Sequence, residues 1–151
     1  MNDKRYLLDT VSVTRISLDV LMSDFVQEKC VVPAEVYYEV GSAGKREAIQ
    51  RIAEAPSASL FGKVRDLLLS AGVNNQVLDL YQNQGNGDII LVATALSKEE
   101  SEELSLFKTK WTIVSDDKNL QDLAQINQIL VISTEAFKER LRKHQHQLPA
   151  S

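Results

Sequence analysis

The sequence contains few of the residues that form covalent or metal-based cross-links. Its 151 residues include one cysteine, Cys30, and two histidines. A single thiol cannot form an intramolecular disulfide, and one Cys with two His cannot supply the usual four ligands of a structural zinc site. The sequence therefore excludes a disulfide-stabilised scaffold and a common zinc-binding domain.

Long apolar runs are also missing. No stretch approaches the roughly 20 residues that a membrane-spanning helix needs. The apolar run after the charged N-terminal residues ends at Asp9, which is too short for the core of a signal peptide. Hydrophobic residues make up 44% and charged residues 25% of the chain, as in soluble globular domains. We expect a cytoplasmic protein with no membrane partner, with residues 1–142 as a single domain and 143–151 as a polar C-terminal tail.

Positive charge is not in excess. Lys and Arg number 17 against 21 Asp and Glu, so the formal net charge is -4. Taken alone, this argues against a protein that holds nucleic acid by bulk electrostatics. Two catalytic motifs are missing as well. Gly85-Asn86-Gly87 lacks the third glycine and the preceding strand of a dinucleotide-binding fingerprint, and Ser115 has no nearby histidine for a hydrolytic triad.

What the sequence does contain is a set of short apolar runs, rich in β-branched and aromatic residues, that alternate with helical patterns. Such runs are typical of strands buried on both faces. The alternation predicts a three-layer α/β/α fold with a central parallel sheet of about four to five strands, and a helical arm between the second and third strands. The four predicted strands are Tyr6–Leu8, Cys30–Val32, Trp111–Val114 and Ile129–Ile132.

Helical spacing follows each of these runs. Ile16, Val20, Leu21 and Phe25 share one face of a helix after the first strand. Trp111 and the adjacent pair Tyr37-Tyr38 have apolar neighbours, which favours core packing over base stacking. Further helices are predicted at Ala34–Val40, Lys45–Glu54, Leu60–Ser70 and Ile89–Leu96, with a short segment at Val77–Tyr81.

Acidic residues recur where the predicted strands end. Asp9-Thr10 follows the first strand, Glu39 lies on the helix after the second, and Asp116-Asp117 follows the third. Ligands of open α/β sheets bind at the carboxyl ends of the strands. Each acid also has a structural interpretation, since Asp88, Asp116 or Asp117 can cap a helix. As a group, however, carboxylates brought together need a cation, and hard oxygen ligands favour Mg²⁺ or Mn²⁺.

The order of these residues resembles that of the PIN-domain family over nearly the whole chain. Four short motifs carry the resemblance, together with a closing strand and helix at Ile129–Phe137. The motifs are Tyr6-Leu7-Leu8-Asp9-Thr10, the segment Val32–Val40 containing Glu39, Gly87-Asp88 before an apolar helix, and Val114-Ser115-Asp116-Asp117.

The resemblance implies a metal-dependent endoribonuclease that hydrolyses single-stranded RNA, and many relatives are toxins of VapC-type toxin–antitoxin pairs. It assigns catalytic roles to Asp9, Glu39, Asp88 and Asp117 and a Mg²⁺ or Mn²⁺ cofactor. Asp9 and Asp117 would be inner metal ligands. Glu39 and Asp88 would serve a second ion or its waters, and Asp116 is an alternative ligand to Asp117. Thr10 and Ser115 are supporting residues, and Lys118 is the candidate substrate-binding cation because of its position beside the site.

The resemblance also implies an antitoxin protein as a possible partner and a homodimer. With four acids assigned to metal, the charge of -4 no longer argues against a nucleic-acid substrate. Two other interpretations stay open. One is a catalytically silent PIN-like module that binds nucleic acid or peptide, and the other is a receiver-like Mg²⁺-binding domain.

Overall fold

A computed structural model of the chain describes the backbone of residues 3–70, 87–102 and 109–147, and the side chains of 3–67, 89–102 and 109–144. The strands are β1 (Asp3–Leu8), β2 (Cys30–Pro33), β3 (Ala53–Glu54), β4 (Thr109–Val114) and β5 (Leu130–Ile132). The helices are α1 (Thr10–Arg15), α2 (Leu18–Leu21), α3 (Asp24–Lys29), α4 (Ala34–Glu39), α5 (Ala43–Ile49), α6 (Ala58–Ser70), α7 (Gly87–Ser101), α8 (Lys118–Ile126) and α9 (Thr134–Gln147).

The five strands form one parallel sheet in the order β3-β2-β1-β4-β5, with helices on both faces. This confirms the predicted three-layer α/β/α class and all four predicted strands. The central strand β1 pairs with β4 along its whole length, from Asp3 opposite Thr109 to Leu8 opposite Val114. Because the strands are parallel, β1 and β4 end side by side at the same edge of the sheet.

Alternate residues of each strand enter separate cores, as the two-residue period of a strand requires. On β1, Leu7 belongs to the core beneath α6, α7 and α8. Its neighbours Tyr6 and Leu8 belong to the core beneath the other helices, which includes Phe137 of α9. Burial on both faces explains why the strand sequences are continuous apolar runs.

The strand β3 was not among the predicted strands. Residues Lys45–Glu54 were predicted as one helix, but α5 ends at Ile49, a 3₁₀ turn follows at Gln50–Ile52, and Ala53–Glu54 pairs with Val32 and Pro33. The prediction was wrong for the last two residues. Their sequence carries no strand pattern, and pairing with the outer edge of β2 determines their conformation.

The segment after β1 forms three short helices instead of the single predicted helix. The chain is extended at Ile16 and turns at Met22, and the hydroxyls of Ser17 and Ser23 cap α2 and α3 by accepting from Val20 N and Val26 N. Serine is a preferred N-cap residue, so each restart has a local cause. The apolar residues that suggested one helix still face the same core.

The helical arm predicted between the second and third strands is part of the layer that covers the sheet. α6 packs on α7, and Leu60 and Leu67 of α6 are buried in the core beneath them. Residues 71–86, with the predicted segment Val77–Tyr81, lie outside the described residues. The last helix extends to Gln147 and so includes the first residues of the predicted tail. No helix in the described ranges is long and apolar enough to cross a bilayer.

Candidate metal centre

Asp9 lies directly after β1 and is 7% exposed. Its backbone N–H reaches the carbonyl of Val114 at 3.4 Å, which holds it against the end of β4. Its Oδ1 accepts from the backbone N–H of Ser12 at 2.7 Å and thereby caps α1. Within the described residues the other oxygen, Oδ2, accepts no hydrogen bond. The carboxylate of Asp9 therefore keeps one oxygen that a cation could bind.

Asp117 repeats this arrangement one strand away. Its Oδ1 accepts from the N–H of Leu120 at 3.1 Å and caps α8, as the sequence allowed. Its own N–H donates to Ser115 Oγ at 3.1 Å. Ser115 is fully buried, and its N–H donates to Ile132 of β5. Ser115 therefore fixes the main chain of Asp117 and not the carboxylate itself. Over the part of the chain that is described, Asp117 Oδ2 also accepts no hydrogen bond.

The neighbouring Asp116 differs because both of its oxygens are occupied. Oδ1 accepts from the N–H of Thr134 at 2.9 Å. Oδ2 accepts from Thr134 Oγ1 at 2.7 Å and pairs with Arg15 Nη1 at 2.6 Å. Partial burial raises the pKa of Asp116, but the hydrogen bonds from Thr134 and the Arg15 guanidinium outweigh it and lower the pKa below its ordinary value. These contacts make Asp116 a tether between elements and favour Asp117 as the ligand.

Two buried hydroxyls extend this tether. Ser12 Oγ donates to the carbonyl of Val114 at 3.0 Å and lies 3.0 Å from Thr134 Oγ1. Both residues are fully buried. The network joins α1, the end of β4 and the start of α9. Sequence reasoning missed Ser12, Arg15 and Thr134. The one available signal was that Thr134 closely follows a predicted strand, as Asp9 and Asp116 do.

Glu39 is exposed and comes to the same edge through Thr10. Thr10 Oγ1 donates to Glu39 Oε2 at 2.6 Å, and Thr10 immediately follows Asp9. The hydrogen bond connects the end of α4 to the start of α1. Thr10 therefore orients Glu39.

Asp88 is the second residue of α7. Its side chain lies outside the described residues, so its relation to Asp9 and Asp117 is not described. Among the described side chains, no group of three or more Asp, Glu, His or Cys is arranged to hold a metal. The described part of the candidate centre therefore consists of three carboxylates, each with its own hydrogen-bond donor: Asp9 with Ser12, Glu39 with Thr10 and Asp117 with Leu120.

The predicted substrate cation Lys118 is exposed at the first position of α8, next to Asp117. Two cations of α5, Lys45 and Arg46, have structural roles. Lys45 Nζ donates to the carbonyls of Val13 and Thr14, at 3.3 and 2.5 Å, where the last carbonyls of α1 lack helical partners. Arg46 Nη2 donates to the carbonyl of Val40 at 2.7 Å.

The aromatic residues are divided between the core and the surface. Trp111 is buried, which confirms its predicted core position, and its ring packs 4.7 Å from the Lys98 ammonium. Tyr37 is half-buried against the core beneath α1–α5. Tyr38 is 77% exposed. The core interpretation was therefore wrong for Tyr38, because α4 presents only one face to the sheet.

The donor set fits a hard divalent cation. Asp9 and Asp117 are carboxylates on adjacent loops, and each commits one oxygen to a helix N-terminus and leaves the other unpaired over the described residues. Carboxylate oxygens are the ligands that Mg²⁺ and Mn²⁺ prefer. Neither a scan of known protein families nor a search of curated proteins found a match to this chain.

Proposed function

We propose that this protein is a metal-dependent endoribonuclease of the PIN type that hydrolyses single-stranded RNA. One observation carries the proposal. Asp9 and Asp117 follow adjacent parallel strands, cap the helices after them through one oxygen, and leave the other available at the ligand-binding edge of the sheet.

The residues divide the work as follows. Asp9 and Asp117 hold Mg²⁺ or Mn²⁺, and Asp88 and the Thr10-bonded Glu39 complete the acidic set. Asp116 and Ser115 hold the loop that carries Asp117. A divalent cation, when bound, makes water a better nucleophile near neutral pH and offsets charge that develops on the phosphate. Lys118 would bind a phosphate of the RNA.

The resemblance to the PIN-domain family supports an antitoxin protein as partner and a homodimer, and the composition of the chain supports a cytoplasmic location. All three belong to this proposal. An antitoxin peptide with a basic side chain would suit the acidic edge because it would pair with Asp9 or Asp117.

The decisive experiment compares Asp9→Asn and Asp88→Asn with the parent on an end-labelled single-stranded RNA in Mg²⁺ or Mn²⁺. Asparagine is as good an N-cap as aspartate, so Asp9→Asn keeps α1 while removing the charge. The matched control is Asp66→Asn, which removes one exposed carboxylate from α6 that has no assigned role in the candidate centre. We expect both site variants to lose cleavage and the control to keep it.

Three results would contradict the proposal. Equal cleavage by the Asp9→Asn variant would show that the carboxylate is not needed. RNA binding without cleavage by the parent would favour the silent binding module. Stable labelling of the protein by acetyl phosphate would favour the receiver-like domain.

A further inference from the structure

Tyr38 is the most exposed large side chain near the acidic edge. It is 77% exposed on α4, between the half-buried Tyr37 and the site residue Glu39. A tyrosine ring buries a large apolar area when it finds a partner, so a ring left in water is an informative exception.

The exposed ring of Tyr38 packs against the ring of Tyr37. The rings of Tyr37 and Tyr38 are 5.3 Å apart and nearly perpendicular, at 81°. The Arg46 guanidinium lies 6.0 Å from the Tyr37 ring and is itself anchored to the carbonyl of Val40. An edge-to-face pair backed by a cation is a favourable arrangement. The ring of Tyr38 is therefore supported on one side and open to solvent over most of its surface.

The position of Tyr38 links it to the candidate centre. The next residue, Glu39, accepts a hydrogen bond from Thr10, and Thr10 follows Asp9. Tyr38 and Asp9 are thus separated by one hydrogen bond and two peptide bonds. Tyr38 is therefore the neighbour, on α4, of a residue that contacts the loop after β1.

The charge of the protein indicates what kind of contact the ring makes. The formal net charge of -4 gives the chain no overall excess of positive charge with which to bind RNA. Stacking between a base and an aromatic ring is uncharged and tolerates any sequence, because every base has a π-face. We propose that Tyr38 is a stacking platform for an unpaired base of the substrate, an inference that rests on the proposed function. Bases in a duplex are already stacked, so the platform selects single strands.

The test separates binding from chemistry. We compare the parent, Tyr38→Ala, Tyr38→Phe and Phe61→Ala on a single-stranded RNA that carries 2-aminopurine. Phe61 is 62% exposed on α6, in the opposite layer, and is the matched control. We expect Tyr38→Ala to raise KM about tenfold with kcat little changed, and to abolish the quenching of 2-aminopurine that a stacked base shows. Tyr38→Phe and Phe61→Ala should resemble the parent.

Unchanged KM and quenching in an active Tyr38→Ala variant would overturn the stacking platform alone. A change in sedimentation of Tyr38→Ala with unchanged RNA binding would assign the ring to a protein interface and overturn it too. A parent that quenches 2-aminopurine but does not cleave would reject the nuclease and keep the platform. A parent that neither binds nor cleaves would overturn both.

Discussion

The loops after β1 and β4 both present a carboxylate that caps the following helix, but they hold it in different ways. After β1, Asp9 follows the strand at once and is buried, and its carboxylate accepts a hydrogen bond from the N–H of Ser12. After β4, two residues intervene. Ser115 holds the main chain of Asp117, and Asp116 connects the loop to α1 and α9.

The difference shows that two adjacent aspartates can have opposite uses. Asp117 keeps an oxygen available over the described residues, while Asp116 spends both oxygens on Thr134 and Arg15. The carboxylate of Asp9 is held by a donor from its own loop, whereas the loop that carries Asp117 is connected through Asp116 to residues of two other elements. Substitutions at these contacts should therefore affect the two loops to different extents.

The largest effect is expected from Asp117→Asn. This change keeps the cap on α8 and removes the charge that a cation needs, so we expect cleavage to fall about a hundredfold or more. Asp116→Asn disturbs only the tether, and we expect a loss of about tenfold. Single-turnover cleavage in Mg²⁺ measures both. A larger loss in Asp116→Asn than in Asp117→Asn would reverse the assignment.

Thr134→Val should chiefly reduce stability. The change keeps the shape of the side chain but leaves Asp116 Oδ2 without its buried hydroxyl donor and Ser12 Oγ without a neighbour. We expect the free energy of unfolding to fall by about 2 kcal/mol, measured by urea denaturation. Thr94→Val is the matched control, since its hydroxyl bonds only to Ile90 within α7. Equal losses in the two variants would contradict the tether.

Arg15→Gln should have a smaller effect on stability. The side chain is 57% exposed, and exposed ion pairs contribute less than about 1 kcal/mol. Removing this positive charge from the acidic edge should tighten Mn²⁺ binding about two- to threefold. Calorimetric titration with Mn²⁺ measures the change. Weaker Mn²⁺ binding by the Arg15→Gln variant would mean instead that Arg15 holds a metal-binding side chain in position.

The smallest effect is expected at the opposite end of β1, which serves as a reference for both loops. The hydrogen bond from Lys29 and then that from Arg5 hold the pKa of Asp3 below its ordinary value. The unfolded chain then binds a proton more readily, so this contribution to stability is present at neutral pH and is lost as pH falls below about 4 through the folded-state pKa.

We accordingly expect Asp3→Asn to lower the free energy of unfolding by less than about 1 kcal/mol at neutral pH. The difference from the parent should shrink as the pH falls toward about 3. Urea titrations at the two pH values measure it. A difference that grows in acid would show that Lys29 and Arg5 do not stabilise the charged form.

Local pattern was enough to predict β1, β2, β4, β5 and a helix cap at Asp116 or Asp117, of which Asp117 is the cap, since each depends on residues within a few positions of one another. The strand β3 was not predicted, because its two residues form a strand only through their pairing with β2. The roles of Asp116 and Tyr38 were not predicted, for a related reason. Arg15 lies 101 positions from Asp116, and whether Tyr38 faces water depends on how α4 sits on the sheet.

The pairing of β1 with β4 also has a consequence for the order in which the molecule forms. β1 contains residues 3–8 and pairs with β2 at Cys30, yet its other partner, β4, begins at Thr109, and the contacts of Asp116 wait for Thr134. Such distant pairing forms slowly, because a long loop must close before these contacts are made. During synthesis, when the chain emerges from its N-terminus, Asp9 has no neighbour from the β4 loop until the chain has been made past residue 117.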